Sequence, residues 1–290
     1  MIPPSLQYLA VNGVRYAVFV AGDGPPLVLL HGFTGSSSTW HPHVARLAQA
    51  RRVIAVDLLG HGGTTSPADP RRYAVERAVP DLLALLGQLG ANTFALLGYS
   101  MGGRLALHVA LAAPERVQAL ILESTSPGFL EAEERTARAQ ADKALAASIE
   151  NEGIQAFVPR WEALPLFASQ TYLPAAVRDQ LRAQRLTNDP SGLANSLRGM
   201  GAGIMPSTWE HLGDLRMPVL LIAGALDKKY VAIAQAMAER ASRAVTVIVA
   251  EAGHAVHIEQ PDLFEETVIR FLAPKLEDIH LERDIPPMKE

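Results

Sequence analysis

The chain contains no cysteine, which excludes disulfide bonds, thiolate metal sites and cysteine nucleophiles together. It also lacks an excess of either charge, because 26 Lys and Arg against 30 Asp and Glu give a formal net charge of −4. Nothing in this balance favours nucleic acid or an anionic membrane as a partner. The longest apolar runs, such as VLLIAGAL, are too short to span a bilayer, so we expect no membrane insertion.

The first residues do not favour a signal peptide, and we expect none. The first residues, MIPPSLQYLAVNG, have neither the basic segment nor the apolar segment of a signal peptide. Since the missing cysteine suits a reducing compartment, we expect a cytoplasmic protein. The last residues, KLEDIHLERDIPPMKE, are charged and contain a Pro pair, which predicts a surface tail over 275–290.

Short apolar runs alternate with helical patterns through most of the 290 residues. This alternation is typical of an α/β protein, in which helices cover both faces of a mostly parallel sheet. Hydrophobic residues make up 49% of the chain, which is enough for one large core, with or without an insertion. The predicted strands are VRYAVFVAG, LVLLHG, RVIAVDL, TFALLGYS, VQALILES, PVLLIAG and AVTVIVAEAG.

The alternation is interrupted between Pro127 and Pro206, where helix-forming residues dominate and no strand pattern occurs. The run LEAEERTARAQADKALAASIENEG predicts one long helix, and shorter helical pieces punctuated by Pro follow it. An all-helical insertion between two strands predicts a cap over the carboxyl edge of the sheet. The expected division is a core over 1–126, a cap over 127–206 and the rest of the core over 207–274.

A short motif around Ser100 is the first candidate for chemistry. Residues 98–102 read GYSMG and match G-x-S-x-G, a string that arises by chance in roughly one chain in ten. Its setting is more informative, because the strand TFALL leads into it and the helix RLALHVALAA leads out. Such a strand–turn–helix setting exposes the serine for chemistry. The alternative is a purely structural glycine-rich turn.

A reactive serine needs a base and an orienting acid, in the chain order Ser, Asp or Glu, His. Asp227 follows the strand PVLLI and His254 follows the strand AVTVIV, so both emerge at the same edge of the sheet as the serine. His257 is the competing histidine, and we expect it to support the helix that follows. Glu123, at another strand end, is the competing acid or a supporting partner. Asp57 is expected to hold its own loop through backbone hydrogen bonds.

Negative charge that develops on a substrate oxygen needs preorganised N–H donors. The backbone N–H of Met101, directly after the serine, is one candidate. The N–H of Phe33 is the second, because His31-Gly32 follows a buried strand and lets the backbone turn inward. An ordinary strand-to-helix loop is the alternative at this second place. The pairs HPH and HAVH lack a carboxylate at ligand spacing, so we predict no metal. We expect no cofactor either.

Several runs in the core and in the insertion contain polar residues that packing alone would not dictate: LHGFTGSSSTW, GYSMGGRLAL, ESTSPGF, RLTNDPSGLANSLRGMGAG, MPSTW, GALDKKY and AGHAVHIEQP. With the serine motif, they resemble the α/β-hydrolase superfamily over nearly the whole chain. This resemblance implies an α/β-hydrolase fold with a helical cap inserted before the last strands. The same runs resemble one branch, the 2-succinyl-6-hydroxy-2,4-cyclohexadiene-1-carboxylate synthases of menaquinone biosynthesis. Two positions depart from that branch, which favours a Thr at Ala202 and a Glu at Ala225.

The resemblance implies a lyase that eliminates pyruvate from a cyclohexene carrying a ring carboxylate, a succinyl side chain and an enolpyruvyl ether. Oriented by Asp227, His254 would take the Ser100 proton, and the serine oxygen would remove a proton next to the succinyl ketone. The N–H groups of Phe33 and Met101 would then stabilise an enolate. The expected partner is therefore a small polycarboxylate.

The resemblance also implies residues that bind this substrate. Arg138 and Arg185 match family arginines, and guanidinium groups suit carboxylates because they bind in a bidentate way. Trp161 matches a cap aromatic that closes the pocket, and Tyr99, next to the serine in sequence, can contact the substrate through its hydroxyl. Each residue has a plainer alternative. Cap arginines commonly face solvent or pair with Glu at helical spacing, as we expect for Arg135, and a tryptophan can belong to the core of the cap.

Two other functions are compatible with the same motifs. A carboxylesterase would use Ser100 as a covalent nucleophile, but a cap that carries arginines suits a polyanion better than a neutral ester. A non-catalytic ligand receptor on this fold would not need all three residues of the serine, histidine and acid set. Pyruvate release without an acyl-enzyme separates the lyase from the esterase. A cellular role that survives Ser100→Ala would favour the receptor.

Overall fold

At the centre of the computed structural model, which describes residues 4–273, eight strands form one sheet. The strands are β1 (Ser5–Val11), β2 (Val14–Ala21), β3 (Pro26–Leu30), β4 (Arg52–Val56), β5 (Phe94–Tyr99), β6 (Val117–Glu123), β7 (Val219–Gly224) and β8 (Ala244–Val249). Their order across the sheet is β1-β2-β4-β3-β5-β6-β7-β8. Strand β2 is antiparallel to β1 and β4, and the other neighbouring pairs are parallel.

Both faces of the central strands are apolar, because consecutive side chains point to opposite sides of the sheet. In β3, Leu27 and Leu29 belong to one hydrophobic cluster, whereas Val28 and Leu30 belong to another. All four side chains are fully buried. A parallel sheet of this kind must be covered on both faces, and the structure confirms the predicted α/β fold.

Helices cover the two faces of the sheet unequally. Helices α1 and α9 pack on the face that contains Leu27, and α2, α3 and α7 pack on the face that contains Val28. Short 3-10 helices occur at Ser37–Trp40, Pro70–Tyr73, Pro165–Tyr172 and Trp209–Asp214. The α-helices are α1 (His41–Leu47), α2 (Val75–Gln88), α3 (Met101–Ala112), α4 (Ala132–Glu162), α5 (Ala175–Leu186), α6 (Pro190–Met200), α7 (Lys228–Arg240), α8 (Val256–Glu259) and α9 (Pro261–Leu272).

Strand β1 adds to the seven predicted strands, each of which is present. It joins β2 through a two-residue turn in which Asn12 has a φ of 47° and Gly13 a φ of 80°. Hairpin turns of this tight kind need positive φ at both central residues, which Asn-Gly supplies readily. In β1 the large apolar side chains of Leu6 and Tyr8 are exposed and not buried. For this reason hydrophobicity alone does not mark β1 as a strand.

Between β6 and β7 the described residues form helices and loops but no strand. Helix α4 packs along α6, and their contact contains a separate cluster with Ile149, Phe157 and Leu193 at its centre. The predicted long helix ends at Gly153, where φ is 78° and ψ is 170°, and a second helical piece continues α4 to Glu162. The cap limits of 127 and 206 stay a prediction.

No helix in the part of the chain described is both long and apolar enough to cross a membrane. The predicted tail over 275–290 lies outside the described residues.

Candidate active site

Ser100 lies in the turn between β5 and α3, at the carboxyl edge of the sheet. Its φ of 50° and ψ of −109° fall in a region that costs a non-glycine residue on the order of 1–3 kcal/mol. Tight packing maintains this conformation. A Cβ on Gly98 would lie 2.5 Å from the Gly102 carbonyl oxygen, and a Cβ on Gly102 would lie 2.5 Å from that of His31. Glycine on both sides of the serine therefore lets α3 begin directly against the sheet.

The imidazole of His254 connects Ser100 to Asp227. Its Nε2 lies 3.1 Å from the Ser100 Oγ, and its Nδ1 lies 2.8 Å from the Asp227 Oδ2. The three residues come from the turn after β5, the start of α7 and the loop after β8. His254 is 1% exposed, so its two hydrogen bonds are shielded from bulk water. The structure thus brings the three sequence-predicted side chains into one hydrogen-bonded chain.

Both carboxylate oxygens of Asp227 have a defined partner. Oδ1 accepts the backbone N–H of Tyr230 at 3.2 Å and so caps α7, while Oδ2 faces His254. Because a carboxylate only accepts hydrogen bonds, the proton of a neutral His254 belongs on Nδ1. Nε2 is then an acceptor directed at the Ser100 hydroxyl. The helix cap holds the Asp227 carboxylate in place, and this carboxylate selects the tautomer of His254. In that tautomer, Nε2 can accept the proton of the Ser100 hydroxyl.

The competing acid and histidine form a separate buried pair. His257 Nδ1 lies 2.8 Å from Glu123 Oε1, which also accepts the His257 backbone N–H at 3.0 Å. Both side chains are fully buried, so the carboxylate anchors the start of α8 beneath the site. Asp57 accepts the N–H groups of Ser37 and Gly63 at 2.5 and 2.7 Å. It therefore holds its loop, in agreement with the sequence-based expectation.

A neutral histidine shapes the loop that follows β3. His31 Nε2 accepts the Leu58 N–H at 3.0 Å, and Nδ1 lies 2.7 Å from the Gly32 carbonyl oxygen. Complete burial lowers the pKa of His31 to about 4, since the charged imidazolium would lose its hydration. The neutral ring thereby connects two neighbouring loops at the sheet edge and sets the path of the chain into Phe33.

Phe33 and Met101 both line the cavity that contains Ser100. Met101 is the first residue of α3, so its N–H has no carbonyl partner one turn earlier in that helix. Phe33 follows the Gly32 turn, and Thr34 after it has a φ of 68°. Both predicted N–H donors thus belong to backbone that is turned at the site. Their function as an oxyanion hole stays a prediction.

The cavity above Ser100 is narrow, with a volume of about 100 Å³, below the usual range of small-molecule sites. Three of the predicted substrate residues, Tyr99, Arg138 and Trp161, line it. The indole Nε1 of Trp161 is buried and has no hydrogen-bond partner among residues 4–273. A buried donor without a partner is costly, and a ligand oxygen in the cavity would satisfy it.

Arg185 lies outside this cavity, behind the ring of Phe167. Its guanidinium carbon is 5.5 Å from the Phe167 ring centroid, and Nη1 pairs with Glu162 Oε1 at 3.0 Å. Nη2 donates to Gln170 at 3.3 Å. Arg185 is therefore not among the residues that line the Ser100 cavity, and it already has an anionic partner. Its predicted contact with a substrate stays a prediction.

Arg104 is a cavity residue that the sequence analysis did not select. It lies on α3 four residues after Ser100, one helical turn away and on the same side. Its Nε is buried without a hydrogen-bond partner in the described part of the chain. Burial lowers the pKa of Arg104, although a guanidinium stays charged in proteins. The spacing of four from a strand-end serine was the signal that could have identified it.

A larger open groove, with a volume of about 580 Å³, lies between α2, α3 and residues 206–214. Its polar lining includes Glu76, His108, His211 and Asp214. Ser100, His254 and Asp227 do not line it. Size alone would select this groove, whereas the hydrogen-bonded groups and unpartnered donors select the smaller cavity. Within residues 4–273 no group of three or more His, Asp and Glu side chains is arranged to hold a metal ion.

The arrangement around Ser100 can support two kinds of chemistry. With His254 as proton acceptor, the Ser100 oxygen can act as a base toward a C–H bond or as a nucleophile toward a carbonyl carbon. In both cases negative charge develops on a substrate oxygen near the turned backbone at Phe33 and Met101. The guanidinium of Arg104 adds a fixed positive charge, so an anionic ligand suits the cavity best.

Comparison with known proteins agrees with this architecture. Residues 27–267 match the alpha/beta hydrolase family. A Bacillus subtilis protein, provisionally named 2-succinyl-6-hydroxy-2,4-cyclohexadiene-1-carboxylate synthase, is 46% identical over 90% of this chain and 96% of its own. A Serratia proteamaculans protein with the same synthase name is 30% identical over 86% and 94% of the two chains. The solved structure of MenH from S. aureus superposes with a TM-score of 0.85 at 37% identity, over 89% of this chain and 97% of the other.

These matches extend over core and cap alike and confirm both levels of the sequence resemblance. They also confirm the mostly parallel α/β-hydrolase fold. The chain belongs to the alpha/beta hydrolase family and, within it, to the family of the 2-succinyl-6-hydroxy-2,4-cyclohexadiene-1-carboxylate synthases.

Proposed function

We propose that the protein is a carbon–oxygen lyase. It eliminates pyruvate from 2-succinyl-5-enolpyruvyl-6-hydroxy-3-cyclohexene-1-carboxylate and forms 2-succinyl-6-hydroxy-2,4-cyclohexadiene-1-carboxylate, the product named in its relatives. The observation that carries the proposal is the hydrogen-bonded chain from Asp227 through His254 to Ser100, which opens on a cavity that also contains Arg104 and Arg138. The hydrogen-bonded series of Asp227, His254 and Ser100 supplies a base, and the arginines supply partners for the substrate's carboxylates.

In the proposed mechanism the serine oxygen is the base. Ser100 passes its proton to His254 Nε2, 3.1 Å away, and its oxygen takes the proton from the ring carbon next to the succinyl ketone. The electron pair of that C–H bond moves onto the ketone oxygen as an enolate. The N–H groups of Phe33 and Met101 stabilise this oxygen in the way of an oxyanion hole. Asp227 keeps the imidazole oriented and stabilises its charged form.

Collapse of the enolate completes the elimination. The electron pair moves through the ring double bond, and the bond between the ring and the ether oxygen breaks. The departing enolpyruvate takes the proton held by His254 and tautomerises to pyruvate. The proton lost from carbon remains on Ser100, so the site returns to its starting protonation without a cofactor. General-base catalysis typically contributes about 10²–10⁴-fold, and each oxyanion donor about 10²–10³-fold.

The cap supplies the binding groups in this proposal. We assign the cap to 127–206 and the core to 1–126 and 207–274, with α4 contributing Arg138 and Trp161 to the cavity. Arg104 on α3 provides a second guanidinium from the core side. Two guanidinium groups suit a substrate that carries several carboxylates, because each can bind one in a bidentate way. Tyr99 lines the same wall beside the serine.

Substrate discrimination tests the proposal against an esterase with the same three residues. With the purified enolpyruvyl substrate, the wild-type protein should release pyruvate, detected through coupled lactate dehydrogenase. Its turnover of simple aryl esters should be poor, and intact-mass measurement during either reaction should show no acyl group on Ser100. Efficient ester hydrolysis with a trapped acyl-Ser100 and no pyruvate would falsify the lyase and favour the esterase.

Arginine variants test the substrate class. Arg104→Ala and Arg138→Ala should each raise KM by about tenfold or more, because each loses a charged hydrogen bond to a carboxylate. Arg160→Ala provides a matched control, since Arg160 lies on α4 but pairs with Glu152 at an exposed position. Equal behaviour of all three variants would contradict recognition of a polycarboxylate by this cavity.

A further inference from the structure

The orientation of Arg138 depends on a single carboxylate of its own helix. Arg138 Nε donates to Asp142 Oδ1 at 2.7 Å, one turn along α4. The Arg138 side chain is 42% exposed, whereas that of Asp142 is 4% exposed. A long, half-exposed arginine loses much conformational freedom when it is held in one geometry. A buried acceptor beside it can supply that order before a ligand arrives.

Asp142 is itself held in place by the segment that forms one wall of the cavity. A Cβ on Gly201 would lie 2.7 Å from Asp142 Oδ2, and a Cβ on Gly203 would overlap the backbone nitrogen of Ala139. Arg135, on the same side of α4, donates to the carbonyl oxygens of Gly203 and Ile204 at 3.3 and 3.2 Å. This face of α4 is thus docked against residues 201–204, and the carboxylate has little room to move.

Within the described residues, the carboxylate of Asp142 has one hydrogen-bond partner, Arg138. Its Oδ2 is buried and has no hydrogen-bond partner within residues 4–273. A buried carboxylate with one oxygen unpartnered is costly to keep, which suggests that its bond to Arg138 has a use beyond stability. The bond involves the Nε–H alone, and the guanidinium carries four more N–H groups on its terminal nitrogens. These N–H groups are part of the Arg138 side chain, which lines the cavity together with that of Arg104.

We infer that Asp142 is a positioning residue, which holds the guanidinium of Arg138 in the orientation that receives a carboxylate of the substrate. This inference rests on the proposed function for the identity of that substrate, and on the geometry for the position itself. Asp142 does not line the cavity, so it acts on a ligand indirectly: its hydrogen bond goes to Arg138, and its charge also acts on Arg104. The bond to Nε directs the terminal nitrogens away from Asp142, and the substrate carboxylate binds those nitrogens.

The sign of the change in KM separates positioning from a plain charge effect. Asp142→Asn removes a negative charge close to the cavity, which by charge alone would favour an anionic substrate and lower KM. Loss of positioning acts in the opposite direction. We expect Asp142→Asn to raise KM by about tenfold, the scale of a charged hydrogen bond, with kcat changed by less than about threefold. A lower or unchanged KM would overturn the inference.

A double-mutant cycle tests whether Asp142 acts through Arg138. In an Arg138→Ala background, Asp142→Asn should cause no further rise in KM, because the side chain to be positioned is absent. An equal rise in both backgrounds would overturn the inference. Arg138→Lys gives a second measurement that keeps Asp142 and the charge, but removes the planar fork. It should raise KM to a similar extent, and a neutral effect would contradict positioning of a guanidinium.

A matched control and a binding assay keep the outcomes distinct. Glu152→Gln removes an exposed partner of Arg160 on the same helix and should leave KM unchanged. Calorimetry with 2-succinylbenzoate, which has the ring carboxylate and the succinyl group but no leaving group, should show the same weakening in Asp142→Asn. If wild type releases no pyruvate but this weakening occurs and requires Arg138, the proposed reaction fails and the positioning stands. If pyruvate is released and neither KM nor the binding constant changes in Asp142→Asn, the positioning fails and the reaction stands.

Discussion

At the scale of single residues, the proposed chemistry depends on a carboxylate that has two partners. Asp227 caps α7 with one oxygen and orients His254 with the other. The two functions can be separated experimentally, because an asparagine caps a helix about as well as an aspartate but does not stabilise an imidazolium.

Asp227→Asn should therefore reduce pyruvate release by about 10²–10⁴-fold while the protein stays folded. The amide can donate to Nδ1 and hold His254 in the tautomer that cannot accept the Ser100 proton. Steady-state kinetics and urea unfolding of the same preparation provide the measurement. Asp189→Asn is the control, since Asp189 caps α6 in the same manner and lies in no part of the serine chain. Equal activity of the two variants would contradict the role given to Asp227.

The sequence predicts some residues of the site but not all of them. Ser100, Asp227 and His254 could be placed because each follows a strand, and the carboxyl ends of parallel strands meet at one edge. The sequence could not show that Arg185 is paired with Glu162 across two helices, since such pairs depend on how the cap folds. Arg104 has a single sequence signal, its spacing of four from Ser100, and an arginine inside an apolar helix is not otherwise marked as part of a site.

At the scale of elements, the turn between β5 and α3 depends on glycine. Gly102→Ala should destabilise the protein by more than about 2 kcal/mol and remove most activity, because overpacking against backbone cannot relax. A Cβ there would lie 2.5 Å from the His31 carbonyl oxygen and closer still to that of Leu30. Gly87→Ala is the matched control in α2, where a Cβ meets nothing within 4 Å. It should stabilise by about 0.5–1 kcal/mol.

Urea unfolding and pyruvate release of both variants test this expectation. A Gly102→Ala protein with full activity would show that α3 does not need its close start against β3.

The prediction of strands from the sequence succeeded where burial makes the apolar pattern continuous, as in β3 and β5. It failed at β1, where exposed Leu6 and Tyr8 hide the alternation and only Asn12-Gly13 marks the hairpin.

At the scale of the whole molecule, two neighbouring buried histidines make folding sensitive to acid. Burial lowers the pKa of His31 to about 4 and that of His61 to about 3, from an ordinary 6.5. Their ring centroids are 5.1 Å apart. As pH falls below about 6.5, the unfolded chain takes up protons that the folded chain does not. The free energy of unfolding should therefore be highest above pH 6.5 and decrease steadily toward pH 4.

Urea unfolding at pH values between 7.5 and 4.5 measures this decrease. His31→Gln keeps an acceptor for the Leu58 N–H but cannot titrate, so its stability should decrease less steeply over the same range. Identical slopes for the variant and the wild type would show that His31 is not protected from protonation by folding. Since both rings lie beneath the loop of Phe33, the same acid range should loosen the proposed oxyanion hole.

The central claim is that the Ser100 hydroxyl, activated by His254, carries out an elimination rather than an acyl transfer. Pyruvate release from the enolpyruvyl substrate, compared between wild type and Ser100→Ala, tests it most directly. The account predicts rapid release by wild type and a loss of at least about 10²-fold in the variant, with unchanged thermal stability. Pyruvate release by a folded Ser100→Ala protein at the wild-type rate would contradict it.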